Sequence, residues 1–126
     1  MKKIGLACCA LLLGAPAGAT DWRIVSWNDE FVLYLDYGSI RHSTNGASYQ
    51  SKVVYLKDSA VSELSSQVKV SCGRGRYRTT RISARLRSGK AETAKALTGW
   101  QKPQPGTNAE REFLIACTAR TKQVEL

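Results

Sequence analysis

The sequence predicts an α+β protein: a small antiparallel β-sheet with a C-terminal α-helix packed on one face and tied to it by a disulfide. Three observations support this fold class. Apolar and polar residues alternate in short runs separated by turn residues, which is typical of antiparallel strands. A helix-start motif near the C-terminus is followed by apolar residues at spacings of three and four. One cysteine falls in a predicted strand and another in that helix.

Length and composition limit the classes of protein that this chain can represent. With 126 residues it forms one domain, too short for a doubly wound nucleotide-binding enzyme or a barrel enzyme of usual size. A hydrophobic content of 43% excludes a disordered tail. The formal net charge of +9 indicates an affinity for anionic partners.

Residues 1–19 have the pattern of a secretory signal peptide. Lys2 and Lys3 precede an apolar run that ends at Leu13, and residues 17–19 form an Ala-Gly-Ala cleavage site. The run is too short to span a bilayer, so no transmembrane segment is expected after cleavage. Because Cys8 and Cys9 precede most of the run, we expect no lipid anchor. The mature domain is then residues 20–126, exported to the periplasm or to the cell surface.

Alternation and turn residues divide the domain into strands. Aspartate, glycine and serine in residues 36–40 predict the end of the second strand, and Asn45-Gly46 predicts a hairpin turn because both positions accept positive φ. Residues 57–66 are polar and are interpreted as a connection. Residues 91–97 fit either a helical turn or a strand. The predicted strands cover residues 22–27, 31–37, 49–56, 68–72 and 77–87.

The C-terminal helix and the disulfide are predicted together. Thr107 and Glu110 form a capping box, and the helix then places Ala109, Phe113, Ala116 and Cys117 on one apolar face. Cys72 shares an apolar strand face with two valines. Removal of residues 1–19 leaves only these two cysteines, and an even pair in an oxidising compartment predicts a disulfide. A zinc site would need four ligands, so we predict no metal and no cofactor.

With these residues placed, the chain resembles the family of the bacterial surface adhesin protein E. The resemblance runs from Trp22 to Cys117. It rests on Trp22, Asp36-x-x-Ser39-Ile40 after an aromatic strand, Cys72 before an Arg-rich segment, and Trp100, Pro103, Pro105-Gly106, an acidic residue and Cys117. It implies the same sheet-and-helix arrangement, a cell-surface location, binding of host matrix proteins such as vitronectin and laminin, and homodimers. An exposed edge strand also favours pairing between chains.

Residues 74–90 form the most unusual constellation, because they contain seven cations and no acidic residue. Arginine favours bidentate contacts with sulfate, phosphate or carboxylate. Sulfated glycans, anionic lipid headgroups or acidic protein segments would fit, and nucleic acid only through nonspecific phosphate contacts. The alternative is a solvated basic sheet face whose arginine stems cover apolar surface. The candidate ligand-binding residues are Arg74, Arg76, Arg78, Arg81, Arg85, Arg87 and Lys90.

No catalytic residues are predicted. His42 is interpreted as a solvated loop histidine, Asp36 as a residue bonded to its own turn, and the three tryptophans as core or core-edge residues. We therefore predict a non-enzymatic binding module of the bacterial envelope, an adhesin for host matrix proteins or polyanions. The alternative is a periplasmic protein that binds an anionic envelope component without host contact.

Overall fold

The computed structural model describes residues 19–57, 59–95 and 98–125, and it contains one antiparallel sheet and one helix. The predicted signal peptide lies outside the described residues except for Ala19. The six strands follow one another as a meander in the order β1-β2-β3-β4-β5-β6. They are β1 (Trp22–Trp27), β2 (Phe31–Ser43), β3 (Gly46–Tyr55), β4 (Val61–Ser71), β5 (Arg76–Leu86) and β6 (Ala91–Ala94), and the helix is α1 (Asn108–Glu125). The predicted α+β class is confirmed.

The core lies between α1 and one face of the sheet, which we call the inner face. The helix contacts β1, β2, β3 and β4. Alternate residues of these strands point toward it, and burial of one such aliphatic side chain contributes about 1.5–3 kcal/mol. The buried apolar residues are Leu33, Leu35, Ile40, Ala47, Tyr49, Val68, Val70 and Ala116. The opposite side of the sheet, the outer face, carries no helix among the described residues.

The start of α1 follows the predicted capping motif with one difference. The Glu110 backbone N–H donates to Thr107 Oγ1 at 3.2 Å, as a threonine cap should. The Glu110 carboxylate accepts from the Gly106 backbone N–H at 2.9 Å, one residue before the position that a standard capping box would use. Ser26 also donates to Asn108 Oδ1 at 2.9 Å, which joins the first residue of the helix to β1.

The predicted disulfide is confirmed and fixes the helix on the sheet. Cys72 lies in the turn directly after β4, and Cys117 lies on the sheet-facing side of α1. Their sulfur atoms are 2.08 Å apart and their Cα atoms 5.9 Å apart. The bond closes a separation of 45 residues that includes β5, β6 and the connection to the helix.

Residues 36–40 do not end a strand, which corrects the sequence prediction. Strand β2 continues to Ser43, and its pairing with β3 shifts register between Asp36 and Arg41. The buried Asp36 carboxylate accepts from the backbone N–H groups of Gly38 at 2.9 Å and Asp21 at 2.7 Å. The predicted bond to its own turn is therefore confirmed, but the turn is a bulge inside a strand. A Cβ atom on Gly38 would lie 1.6 Å from the Ala19 carbonyl oxygen, so only glycine fits there while Ala19 is part of the chain.

The Asn45-Gly46 hairpin is present, but for a different reason from the predicted one. Ser43 pairs with Gly46, so Thr44 and Asn45 form the turn. No described residue other than glycine has positive φ, and Gly46 has none either. Glycine is required at position 46 because a Cβ atom would lie 2.0 Å from the Val70 carbonyl oxygen. Close approach of β4, not turn geometry, explains this glycine.

Two further predictions need correction. Residues 61–66 belong to β4, because they pair with β3 on one side and β5 on the other. Their polar character misled the prediction, since only one face of this strand meets the core. Residues 91–94 form the short edge strand β6, whereas residues 96 and 97 of the ambiguous segment lie outside the described part. No described helix has both the length and the apolar character needed to cross a membrane.

The disulfide should contribute strongly to stability. Replacing both Cys72 and Cys117 with serine is expected to lower the free energy of unfolding by about 2–5 kcal/mol, because the unfolded chain loses its cross-link. Urea denaturation of the purified protein, with and without reductant, measures this. Reductant should destabilise the parent and leave the double variant unchanged; equal stability of parent and variant would contradict the role of the bond.

Gly46→Ala should destabilise the protein by about 1–3 kcal/mol or more, because its methyl group would overlap a backbone oxygen that cannot move cheaply. Gly73→Ala is the matched control, since a Cβ atom at that position meets nothing within 4 Å. It should stay within about 0.5 kcal/mol of the parent. Thermal unfolding of both variants checks the difference, and similar melting temperatures would refute the packing explanation.

Candidate functional site: the outer face of the sheet

The arginine-rich segment spans β5 and the turns on either side of it. Arg76, Arg78, Arg81 and Arg85 lie on β5, and Arg74 lies in the turn before it. In a regular strand Arg76 and Arg78 would face one side and Arg81 and Arg85 the other, because side chains alternate. A register shift between Gln67 and Val68 leaves Thr80 unpaired as a bulge. Beyond the bulge the alternation is reversed, so all four arginines share the outer face.

Cross-strand pairs confirm this placement. Lys69, on the outer face of β4, pairs with Arg78, and Gln67 pairs with Arg81. Directly opposed side chains in such pairs have Cβ atoms roughly 5 Å apart. Ile82, Ala84 and Leu86 face the inner side, as predicted, and Arg81 and Arg85 are exposed. We call the five cations on the outer face of β4 and β5 the basic patch: Lys69, Arg76, Arg78, Arg81 and Arg85.

No carboxylate forms a salt bridge with the basic patch within the described part of the chain. The two ion pairs found there join Arg23 to Asp21 at 3.0 Å and Lys90 to Glu92 at 3.9 Å. Glu63 pairs with Arg85 in the β4–β5 ladder without forming a salt bridge. Cations that are close together and unneutralised produce a positive potential that attracts anions.

Trp100 closes one end of the basic patch. The segment after β6 returns to the edge of β5, where Gln101 and Tyr77 exchange two backbone hydrogen bonds of 2.8 and 2.9 Å. This pairing brings the Arg78 guanidinium to 5.6 Å from the Trp100 ring centroid, a cation–π distance. Trp100 is still 45% exposed and so does not lie in the core, whereas the sequence predicted a core or core-edge position.

Two adjoining grooves cross the outer face beside the basic patch. The larger, about 440 Å³, lies between β2 and β5, and the smaller, about 180 Å³, lies next to Arg81. Gln50 and Gln67 line both grooves. The larger groove is also lined by the Asp36 carboxylate, which is buried and accepts from the Asp21 and Gly38 backbone N–H groups. The other polar side chains that line the two grooves are hydroxyls and cations: Thr20, Ser39, Arg41, Ser48, Ser65, Lys69, Thr80, Arg81 and Ser83. Amides and hydroxyls can donate to and accept from a polar ligand, and the cations can bind its negative groups.

Two members of the predicted site are engaged elsewhere. The Arg87 guanidinium donates to the carbonyl oxygens of Ser59, Tyr55 and Lys57, at 3.2, 3.1 and 2.8 Å, and so holds the β3–β4 connection. Lys90 lies in the β5–β6 connection beside Glu92. Arg74 is exposed in the turn before β5. The structure therefore brings together four of the seven predicted residues. Lys69 lies beside them because β4 pairs with β5, as expected from the sequence if these two strands pair.

An apolar patch occupies the other end of the outer face, on β1 and β2. Lys52 lies over it, with its Nζ 4.3 Å from a Trp22 ring centroid and 5.5 Å from that of Tyr34. Trp27 is 71% exposed and Ile24 is 58% exposed, so Trp27 also differs from its predicted core position. The apolar patch consists of Trp22, Ile24, Trp27, Val32 and Tyr34.

His42 differs from its predicted surroundings. It lies on β2, paired with Ala47, and is half-buried rather than solvated in a loop. Its Nε2 atom is buried and has no hydrogen-bond partner among the described residues. The neighbouring Arg41 donates to the carbonyl oxygens of Gly38 and Ile40 at 2.9 and 3.2 Å.

One buried acid was missed by the sequence analysis. Glu112 lies on the sheet-facing side of α1 and accepts a hydrogen bond from Tyr49 Oη at 2.7 Å. Burial raises the pKa of Glu112 to about 7, although the bond from Tyr49 opposes this shift. Burial, followed by the nearby Glu112 charge, also raises the pKa of Tyr49. The signal was available, since Glu112 lies between apolar residues of the predicted helix face.

With this geometry established, searches of protein-family models, curated proteins and solved structures found no match to the chain. The protein E-like resemblance thus remains a prediction, and the function has to be argued from the surface itself.

Arg87→Ala should lower the free energy of unfolding by about 1–2 kcal/mol, because three carbonyl oxygens lose a charged donor. Arg85→Ala, which removes an exposed arginine two residues away, should stay within about 0.5 kcal/mol of the parent. Urea denaturation of the two variants distinguishes a structural arginine from a free one. Equal stability of the two variants would show that the bonds to the β3–β4 connection contribute little.

Proposed function

We propose that the protein is a non-enzymatic binding module of a bacterial envelope, which holds polyanionic macromolecules on the basic patch. The observation that carries this proposal is the bulge at Thr80, which places four arginines of β5 beside Lys69 on an open face. These cations are separated by roughly 5 Å across strands and 7 Å along them, so a repeating anion can contact several together.

The grooves beside the basic patch favour a sulfated or otherwise acidic glycan among the polyanions. Gln50, Gln67 and the serines nearby can bond to sugar hydroxyls, while the arginines bind sulfate or carboxylate groups in bidentate geometry. Trp100 offers an exposed ring face at the edge of the same surface. A surface adhesin would use these contacts on host matrix components, which are rich in such glycans.

Replacing Lys69, Arg78 and Arg81 together with serine should weaken binding of a heparin oligosaccharide about tenfold or more, because charge-assisted bonds are lost. The matched control replaces Lys57, Lys95 and Lys102, three exposed lysines outside the basic patch, and removes the same charge. It should change affinity only slightly. Calorimetric titration at two salt concentrations measures both variants, and parent binding should weaken as salt rises.

Two outcomes of that titration would refute the proposal. One is a triple variant that binds as tightly as the parent while remaining folded by circular dichroism. The other is an equal loss of affinity in both variants, which would show that net charge alone drives the interaction and that the basic patch is only a solvated face.

The apolar patch supports the second candidate, a periplasmic protein that binds an anionic envelope component. Its exposed Trp27 and Ile24 lie on the same face as the basic patch, so an anionic lipid could contact both regions. Trp27→Ser should then reduce binding to anionic phospholipid vesicles without changing heparin binding. Tryptophan fluorescence with anionic and zwitterionic vesicles tests this, and insensitivity to lipid charge would exclude it.

The two candidates also place the protein differently in its cell. An adhesin must be accessible to a protease added to intact cells, whereas a periplasmic protein is cleaved only after the outer membrane is permeabilised. Protease treatment of intact and permeabilised cells, followed by detection of the chain, therefore distinguishes them.

A further inference from the structure

A cleft of about 240 Å³ lies between the start of α1 and the inner face of the sheet, on the opposite side from the basic patch. It forms because the helix contacts β1 to β4, so that the inner face toward β5 is only partly covered. Leu33, Val53, Leu64 and Val68 supply apolar wall, and Asn108 and Ala109 line the side of the helix. The volume is below the roughly 300 Å³ typical of pockets for drug-sized molecules, so it suits a smaller ligand.

Glu112 lies in the wall of this cleft and is only 8% exposed. Among the described residues its carboxyl group has one hydrogen-bond partner, Tyr49 Oη. The other residues that line the cleft include no lysine, arginine or histidine. A buried carboxylate without a cation is costly, so a positive group placed beside it would be favoured.

The remaining polar groups of the cleft match the donors of an ammonium group. The hydroxyls of Ser51, Ser66 and Thr79 line the cleft and can accept hydrogen bonds. Tyr77 adds an aromatic ring to the same wall, and aromatic faces attract cations. Apolar walls, acceptor hydroxyls and one carboxyl group together complement a molecule with an ammonium end and a short apolar body.

We propose that this cleft is a binding site for a small organic amine, with the ammonium group on Glu112 and the apolar body against Leu33, Val53 and Leu64. The site is independent of the basic patch, which faces the other side of the sheet. It selects the opposite charge, so the molecule would carry an anion-binding face and a cation-binding cleft.

Three probes of similar shape test the proposal: 2-phenylethylamine, the neutral 2-phenylethanol and the anionic 3-phenylpropanoate. We expect saturable binding of the amine at pH 8, with NMR shift changes in the residues of the cleft. Binding of the alcohol should be at least about tenfold weaker, because it lacks the charge. Equal binding of amine and alcohol, or no saturable binding of the amine at millimolar concentration, would overturn the proposal.

Glu112→Gln keeps the size of the side chain and an acceptor for Tyr49, but removes the charge. It should lower amine affinity about tenfold or more. Glu30→Gln, the same change at an exposed position in the turn between β1 and β2, should leave amine affinity unchanged. Heparin binding should be the same in both variants, so that failure of this site and failure of the basic patch are distinguishable. Unchanged amine affinity in folded Glu112→Gln would refute the assignment.

A pH titration of the parent protein keeps the test valid even if Glu112→Gln does not fold. The titratable groups that face Glu112 across the cleft are Tyr49 and Tyr77. Since the pKa of Glu112 is about 7 and the amine remains protonated, affinity should fall about tenfold from pH 8 to pH 6. Bound amine should also lower the Glu112 pKa measured by carboxyl-carbon NMR. An amine affinity that does not change with pH would contradict an ammonium–carboxylate contact.

Discussion

A single helix has to cover a sheet of six strands, and the position of that helix determines the two surfaces from which function can arise. The Cys72–Cys117 bond holds the helix against the end of β4, and Ser26 and Asn108 hold its first turn near β1. So placed, α1 buries the inner face of the first four strands and leaves the side toward β5 incompletely covered. No helix covers the outer face among the described residues. The cleft follows from this mismatch in size, and the basic patch lies on the face that the helix does not cover.

The placement of the β5 arginines on the outer face depends on the bulge at Thr80. Without the bulge at Thr80, half of the β5 arginines would point into the core side, where burying an unpaired guanidinium is costly. With it, apolar residues on both sides of the bulge still reach the inner face: Tyr77 before it and Ile82 after it. The same bulge thus preserves the core and concentrates charge outside. A bulge that serves packing and surface chemistry together is a feature that selection can maintain for either reason.

Much of the fold was predictable because alternation and capping are local signals. Strand β1 has the predicted bounds, Cys72 and Cys117 are joined, and Thr107 caps the helix as its sequence indicates. The errors arose where long-range pairing overrides local character. Residues 61–66 look like a loop because their outer-face side chains are polar, yet two neighbouring strands fix them in a sheet. Residues 36–40 look like a turn because Asp36 does bond its local backbone, although the strand continues past it.

The candidate site was predictable only in composition. Seven cations without an intervening acid are visible in the sequence. Their positions in the structure are not, because the bulge places four arginines on the outer face and three carbonyl oxygens hold Arg87 at the β3–β4 connection. Trp100 joined the site through the pairing of Gln101 with Tyr77, which no local signal reveals. The position of Glu112 on the apolar helix face is visible in the sequence, whereas its hydrogen bond to Tyr49 and its place in the cleft depend on long-range packing.

The packing of the chain around Ala19 has a consequence for the order of events during biogenesis. The Ala19 carbonyl oxygen fills the space that a side chain at Gly38 would occupy, and the Asp21 backbone N–H is bound by the buried Asp36. The peptide bond predicted to be cleaved, between Ala19 and Thr20, therefore lies in a segment that packs against β2. A protease needs several residues around its target in extended, accessible form. If the leader is removed at this point, cleavage has to occur before β1 and β2 pair. Cleavage and folding would then compete in time.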